Sequence, residues 1–186
     1  MIGQNQFSQF FRTIIFFLKK AKVNYLLIGG VAVGVWGKPR LTEDVDFIVF
    51  ISKGDIDGIQ KIAKSLKLKL HAVKHPTLEK VFSYRIDVRM FHADFLIAST
   101  KFEQNALRRR VRVKIFDKNV YVPSKEDLLL LKVIPGRTID LFDAENIAQR
   151  HKNKLDKRYL LKWAEVLSDE AEDFRIYKTM KKLLKS

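Results

Sequence analysis

Between Tyr25 and Val49 the chain reads YLLIGGVAVGVWGKPRLTEDVDFIV, and its chemically capable residues are carboxylates, glycines, a threonine and an arginine. Asp44 and Asp46 stand two residues apart, immediately before the apolar Phe47, Ile48 and Val49. On an extended strand alternate side chains share a face, so both carboxylates point the same way. Two such groups at the mouth of a buried strand repel each other and are costly to desolvate unless a cation lies between them. Mg²⁺ (or Mn²⁺) is the natural partner, held by one or two carboxylates together with substrate phosphates. The spacing therefore points to a metal site and to phosphate chemistry.

Upstream, Gly29 and Gly30 end an apolar run. Glycines after a strand let the backbone approach a polyphosphate closely and leave amides free at a helix start, where anions are favoured. Arg40 has the fork to grip phosphate oxygens, and Thr42 stands where it could orient the neighbouring carboxylate. Other patterns fail. Gly37-Lys38 is followed by Pro39 where a P-loop needs Ser or Thr, and Ala32 stands where its first glycine belongs. Gly30, Gly34 and Gly37 lack dinucleotide-fingerprint spacing. Asp55-x-Asp57-Gly58 has Leu66 where a calcium loop needs a bidentate Glu. The histidines at 71, 75, 92 and 151 form no metalloprotease pattern.

These residues need elements to position them. Phe7, Phe10, Phe11, Ile14, Ile15 and Leu18 recur at helical spacing and predict a first amphipathic helix. Tyr25–Ile28 reads as a short buried strand, 31–36 as a short helix and Asp44–Ile51 as a second strand, with a further helix marked by Ile56, Ile59, Ala63 and Leu66. From Phe82 to Met90 apolar and polar residues alternate, a half-buried strand with Ser83, Arg85, Asp87 and Arg89 on its wet side. Ala93–Ala98 is another buried strand opened by an aspartate, and Val111–Phe116 and Val120–Val122 flank a turn at Asp117-Lys118-Asn119. After Pro123 the pattern is helical, with Ser124 and Asp127 as a capping pair. The expected organisation is an α/β domain over 1–123, followed by a helical region over 124–186 packed on it.

With 36 Lys and Arg against 21 Asp and Glu, the net charge is +15. Such a balance favours polyanionic partners: nucleic acid, nucleotides or an acidic protein. Its most pointed cluster is Arg108, Arg109, Arg110, Arg112 and Lys114, where a predicted helix ends and a strand begins. There are no cysteines and no apolar run of membrane-spanning length, so the expected location is the cytoplasm, with no membrane partner.

The stretch GGVAVGVWGKPRLTEDVD resembles the signature of the DNA polymerase β-like nucleotidyltransferase superfamily. Its closest form is GG-x-A…G-x-x-R-x-T-x-D-x-D, found in the AbiEii-like and related minimal nucleotidyltransferases of bacteria and archaea, many tied to toxin–antitoxin loci. The resemblance covers roughly residues 20 to 150. It implies an α/β nucleotidyltransferase fold with a mixed central sheet, an NTP substrate and a two-metal Mg²⁺ mechanism. Its nucleotide-binding residues would be Gly29, Gly30, Arg40 and Thr42, with Asp44 and Asp46 as catalytic metal ligands. It also implies a third carboxylate on a neighbouring strand. Asp94 is preferred over Asp87, because parallel neighbouring strands would bring Asp46 and Asp94 to the same end of the sheet. Downstream, the family pattern implies Lys132 at the nucleotide phosphates and Asp140 orienting it or the base. Acceptors in the wider superfamily are tRNA ends, protein side chains and small antibiotics. The charge favours RNA or an acidic partner such as an antitoxin; a non-catalytic nucleotide- or RNA-binding module is the alternative.

Overall fold

The computed structural model describes residues 2–74 and 81–185; His75 lies outside them. In chain order the elements are α1 (Ile2–Lys20), β1 (Asn24–Ile28), α2 (Gly29–Trp36), β2 (Asp44–Phe50), α3 (Ile56–Ser65), β3 (Leu70–Lys74), β4 (Val81–Val88), β5 (Phe91–Ile97), α4 (Lys101–Arg108), β6 (Val111–Ile115) and β7 (Lys118–Val122). Four helices follow: α5 (Lys125–Val133), α6 (Thr138–His151), α7 (Lys157–Glu170) and α8 (Arg175–Leu183). The chain divides into two compact units, Met1–Val31 with Leu41–Val122, and Ala32–Arg40 with Pro123–Ser186.

The first unit is built on a five-stranded sheet of order β1-β2-β5-β4-β3. β2 and β5 run parallel and the other neighbours antiparallel, the mixed sheet expected. The odd-numbered residues of β2 and β5 make its apolar face. Phe47 and Phe95 pair in register and stack at 5.5 Å, and Phe17 of α1 meets Phe95 edge-on. Phe17 and Leu18 of α1 and Ile56 and Ile59 of α3 close over Val49 and Tyr84 of the sheet. Fully burying each large apolar side chain contributes about 1.5–3 kcal/mol, which is why this face is covered and the opposite one is left for polar groups.

Two strand boundaries differ from the alternation in the sequence. β4 stops at Val88, and Arg89 (φ 57°) and Met90 turn the chain into β5, which begins at Phe91 rather than Ala93. A polar-apolar dipeptide in a tight turn continues a period of two, so the pattern ran through it. At the strand's other end Phe82 is exposed and Ser83 buried. In the β6–β7 hairpin the turn is Phe116-Asp117, both at positive φ (44° and 64°), as a two-residue mirror-image turn requires. Lys118 and Asn119, polar enough to read as turn, are paired strand residues. The β3 strand was not expected from the sequence at all.

In the second unit, Ser124 caps α5, accepting from the Asp127 amide while its hydroxyl donates to the Asp127 carboxylate at 2.6 Å. Arg175, the first residue of α8, donates to the Val133 and Ile134 carbonyls at the end of α5. That guanidinium crosses Gly136 (φ 68°) so closely that a Cβ there would lie 2.4 Å from it. The segment Ala32–Arg40 is tied to these helices by hydrogen bonds. Trp36 Nε1 donates to the Pro123 carbonyl, His151 Nε2 lies 2.8 Å from the Trp36 carbonyl, and Arg150 donates to that of Gly37. Among the described residues no helix is long and apolar enough to cross a membrane.

Candidate functional site

The polar face of the sheet is organised by strand register. Asp46 pairs directly with Asp94 across the parallel β2–β5 ladder, Asp94 pairs with Arg85 across β5–β4, and Arg85 with His71 across β4–β3. Two residues along, Asp44 pairs with His92 and His92 with Asp87. Directly opposed residues share a face, so these form two adjacent polar rows at one end of the sheet.

Within the rows, Arg85 forks onto Asp94, Nε to Oδ1 at 2.7 Å and Nη2 to Oδ2 at 2.8 Å. The hydrogen bond to Asp94 raises the pKa of the Arg85 guanidinium, with Asp87 and Asp44 adding to the effect. His92 Nε2 lies 3.0 Å from Asp44 Oδ1 and 3.9 Å from Asp94 Oδ2. Asp87 is exposed and faces His71 at 3.6 Å, outside the row that holds Asp46 and Asp94. Asp44, Asp46 and Asp94 against Arg85 leave an excess of negative charge, the setting for a cation.

The glycine turn belongs to the same place. Gly29 has φ 66°, and a Cβ built on it would fall 1.9 Å from Asp46 Oδ2. Glycine is therefore required twice over, for its backbone and to admit the carboxylate. Gly30 follows, buried in the first turn of α2. Thr42 hydrogen-bonds the backbone carbonyl and amide of Asp44 at 3.2 and 3.4 Å, so it holds the strand entry and not the carboxylate expected.

The oxygens of Asp44, Asp46 and Asp94 suit a hard divalent cation by type, charge and position. Their side chains do not stand as a ready cage: among the described residues no three His, Asp or Glu side chains group as metal ligands. Asp94 is engaged by Arg85 and Asp44 by His92, so loading a metal means exchanging those partners.

The remaining predicted residues lie in the second unit. Lys132 is buried, its ammonium 2.8 Å from Asp140 Oδ1 and 3.0 Å from Asp143 Oδ2. Arg40 lies 3.4 Å from Asp143, and Arg137 reaches Asp140 at 2.5 Å. Burial works to raise the Asp140 carboxyl, but hydrogen bonds and charge from Lys132 and Arg137 outweigh it and hold the pKa below the ordinary value.

Sequence reasoning missed Arg85. The signal for Arg85 was available in the hairpin: a turn at Arg89-Met90 makes paired residues sum to 179, which joins Arg85 to Asp94 and Asp87 to His92.

Among solved structures the chain is similar to an antigenic nucleotidyltransferase-like protein from Paracoccidioides brasiliensis, at 15% identity and TM-score 0.55 over 95% of this chain and 93% of that one. It is similar to JHP933 from Helicobacter pylori at 14% identity and TM-score 0.53, covering 95% and 90%. It also resembles the lincomycin-bound lincosamide antibiotic adenylyltransferase LnuA at 17% identity and TM-score 0.50, covering 75% and 94%. At these identities the likeness is one of fold, and the fold is that of nucleotidyltransferases. No protein-family model and no curated protein sequence matches the chain.

Proposed function

We propose that the protein transfers a nucleoside monophosphate from an NTP to an acceptor hydroxyl. The observation that carries this reading is the direct parallel pairing of Asp46 with Asp94, with Asp44 two residues along the same face and Gly29 against Asp46. Asp44 and Asp46 would hold Mg²⁺ or Mn²⁺ on the triphosphate, and Asp94 would share a second ion. Bound there, divalent cations would neutralise phosphate charge and lower the pKa of the acceptor hydroxyl. The backbone at Gly29-Gly30, opening α2, offers amides to the phosphates. The acceptor oxygen attacks the α-phosphorus, pyrophosphate leaves, and Asp94 takes the acceptor's proton. Arg85 holds Asp94 in position until the site loads.

Lys132 and Asp140 act in this reading as the buried brace of the helical unit, with Arg40 on its margin. The +15 charge supports a polyanionic acceptor, RNA or an acidic partner protein of the toxin–antitoxin kind, over a cationic antibiotic in a cytoplasmic setting. A second reading, nucleotide binding without transfer, draws on the Arg85 fork, which leaves Asp94 engaged.

Incubation with α-labelled NTPs, Mg²⁺, total RNA and total protein tests both. Label transferred to an acceptor and absent with Asp46→Asn supports nucleotidyl transfer. Mg²⁺-dependent NTP binding with no transferred label to any acceptor supports the second reading.

A further inference from the structure

We propose that the wet face of the β6–β7 hairpin is a docking surface for single-stranded RNA. Between Arg108 and Val122 the chain carries six Lys or Arg and a single acid, Asp117. On the hairpin, Val120 and Val122 are buried, while Arg112 and Lys114 project on the other side, opposite Tyr121 and Asn119 in register. Arg110 continues the row, and its guanidinium lies 4.8 Å over the Tyr121 ring. Asp117 is drawn off by Arg12 at 3.4 Å and Lys114 at 3.6 Å. Among the described residues, Arg112 makes no ion pair.

Folding alone does not account for this face. Cations in the last turn of a helix complement its dipole, which explains Arg108 but not residues on strands. Charges on an edge strand discourage pairing with another sheet, which explains Arg112 and Lys114 singly. Neither explains an exposed tyrosine, fixed from beneath by an edge contact to Tyr25 at 6.2 Å and covered by a guanidinium. Alternate residues on a strand are spaced by about 6.8 Å, so Arg110, Arg112 and Lys114 form a row of cations able to follow an extended phosphate backbone. The Arg110 plane, backed by the Tyr121 ring, supplies a flat surface on which an unpaired base stacks. The deep, narrow major groove of an RNA duplex is closed to the side chains of this ribbon, and an acidic peptide has no use for the stacked pair. Asn119, beside Lys114, supplies an amide for the ribose 2′-hydroxyl that tells RNA from DNA.

The test is fluorescence anisotropy with a labelled 12-nucleotide oligouridine over a salt series, without NTP or metal, so that its outcome is independent of the proposed transfer activity. The wild-type protein is expected to bind with affinity falling as salt rises. Arg112→Gln combined with Lys114→Gln is expected to weaken binding at least tenfold at low salt and flatten the log–log slope by about 1.4, at about 0.7 for each lost phosphate contact. Tyr121→Leu should weaken binding about tenfold with the slope unchanged. Far-UV circular dichroism must match the wild type; the charge pair, at exposed positions, decides the matter if the Tyr121 variant misfolds. No binding by the wild type, or unchanged affinity and slope in the charge variant, overturns the proposal. Equal competition by polyglutamate assigns the face to an acidic protein, and equal competition by a DNA strand or duplex RNA removes the single-stranded RNA assignment; each of these also overturns it.

Discussion

Lys132, expected at the nucleotide phosphates, is buried beside two carboxylates, and Lys132→Met tests whether it braces the helical unit. Its ammonium sits 2.8 and 3.0 Å from Asp140 and Asp143, whose side chains are each 2% exposed. At an effective dielectric near 20 each attraction is about 5–6 kcal/mol before desolvation is counted. Desolvating the three groups cancels much of that, so the pair of bridges is a modest net stabiliser. Removing the cation is different, because it strands buried carboxylates, and such losses run to about 3–5 kcal/mol. With a urea slope of roughly 2 kcal/mol/M, the midpoint should fall by about 2 M. The tryptophans, Trp36 and Trp163, both lie in the helical unit that holds Lys132, so intrinsic fluorescence reports the transition where it is expected.

The pH dependence gives a second signature. In the wild type the Asp140 carboxyl lies below its ordinary 3.8, so its contribution is present above that value and is lost as pH falls through the folded-state value. Without Lys132 the balance shifts towards burial, the Asp140 pKa moves up, and the folded state binds the proton more tightly than the unfolded chain. The variant should therefore gain stability on acidification from neutral pH, where the wild type does not. Adding Asp140→Asn and Asp143→Asn should recover a large part of the loss. A midpoint shift below about 0.5 M together with lost NTP binding would refute this reasoning and return Lys132 to the nucleotide.

Other expectations follow from the sheet. Asp46→Asn should abolish divalent-dependent NTP binding by calorimetry with the unfolding free energy from urea titration within about 0.5 kcal/mol of wild type or higher, since it relieves carboxylate repulsion; retained metal-dependent binding rejects the metal assignment. Asp94→Asn should cut transfer steeply while NTP binding persists, and Asp87→Asn should be nearly silent; a reversed pattern would move the third carboxylate to β4. Gly29→Ala adds a strained left-handed backbone and a methyl in the place of the Asp46 carboxylate, so a loss of about 1–3 kcal/mol and of NTP binding is expected, whereas Gly58→Ala, with open space around it, should leave binding intact. Tyr25 is buried, and burial pushes its hydroxyl up to about 12. Its contribution is full below pH 10 and is lost as pH rises through 10–12, so alkaline denaturation should be visibly steeper than in Tyr25→Phe.

Much of the site was legible because its information is local. Two aspartates at a period of two, entering an apolar strand, share a face whatever surrounds them, and a glycine pair after a strand marks a left-handed turn that other residues adopt only at a cost. The capping Ser124 and the amphipathic Phe-rich α1 are local in the same sense. Asp94 was reachable by one further step, the assumption that two strands of like pattern are parallel neighbours.

The sequence by itself determined the strand-borne carboxylates, the glycine turn, the helical last third and the surplus of positive charge, because each depends on spacings of a few residues or on composition. Only the tertiary structure decided which residues face those groups. Arg85 meets Asp94 because a turn at Arg89-Met90, invisible to the alternation of polar and apolar residues, sets the hairpin register. Thr42 bonds the Asp44 backbone rather than its carboxylate because the chain bends there before the strand begins. Lys132 is buried between two carboxylates because α5 and α6 pack together across the Pro135-Gly136 break, a pairing of residues eight and eleven apart that helical periodicity does not encode. Partners chosen by register and helix packing are properties of the assembled chain, and a one-dimensional pattern carries them only where it also carries the turn.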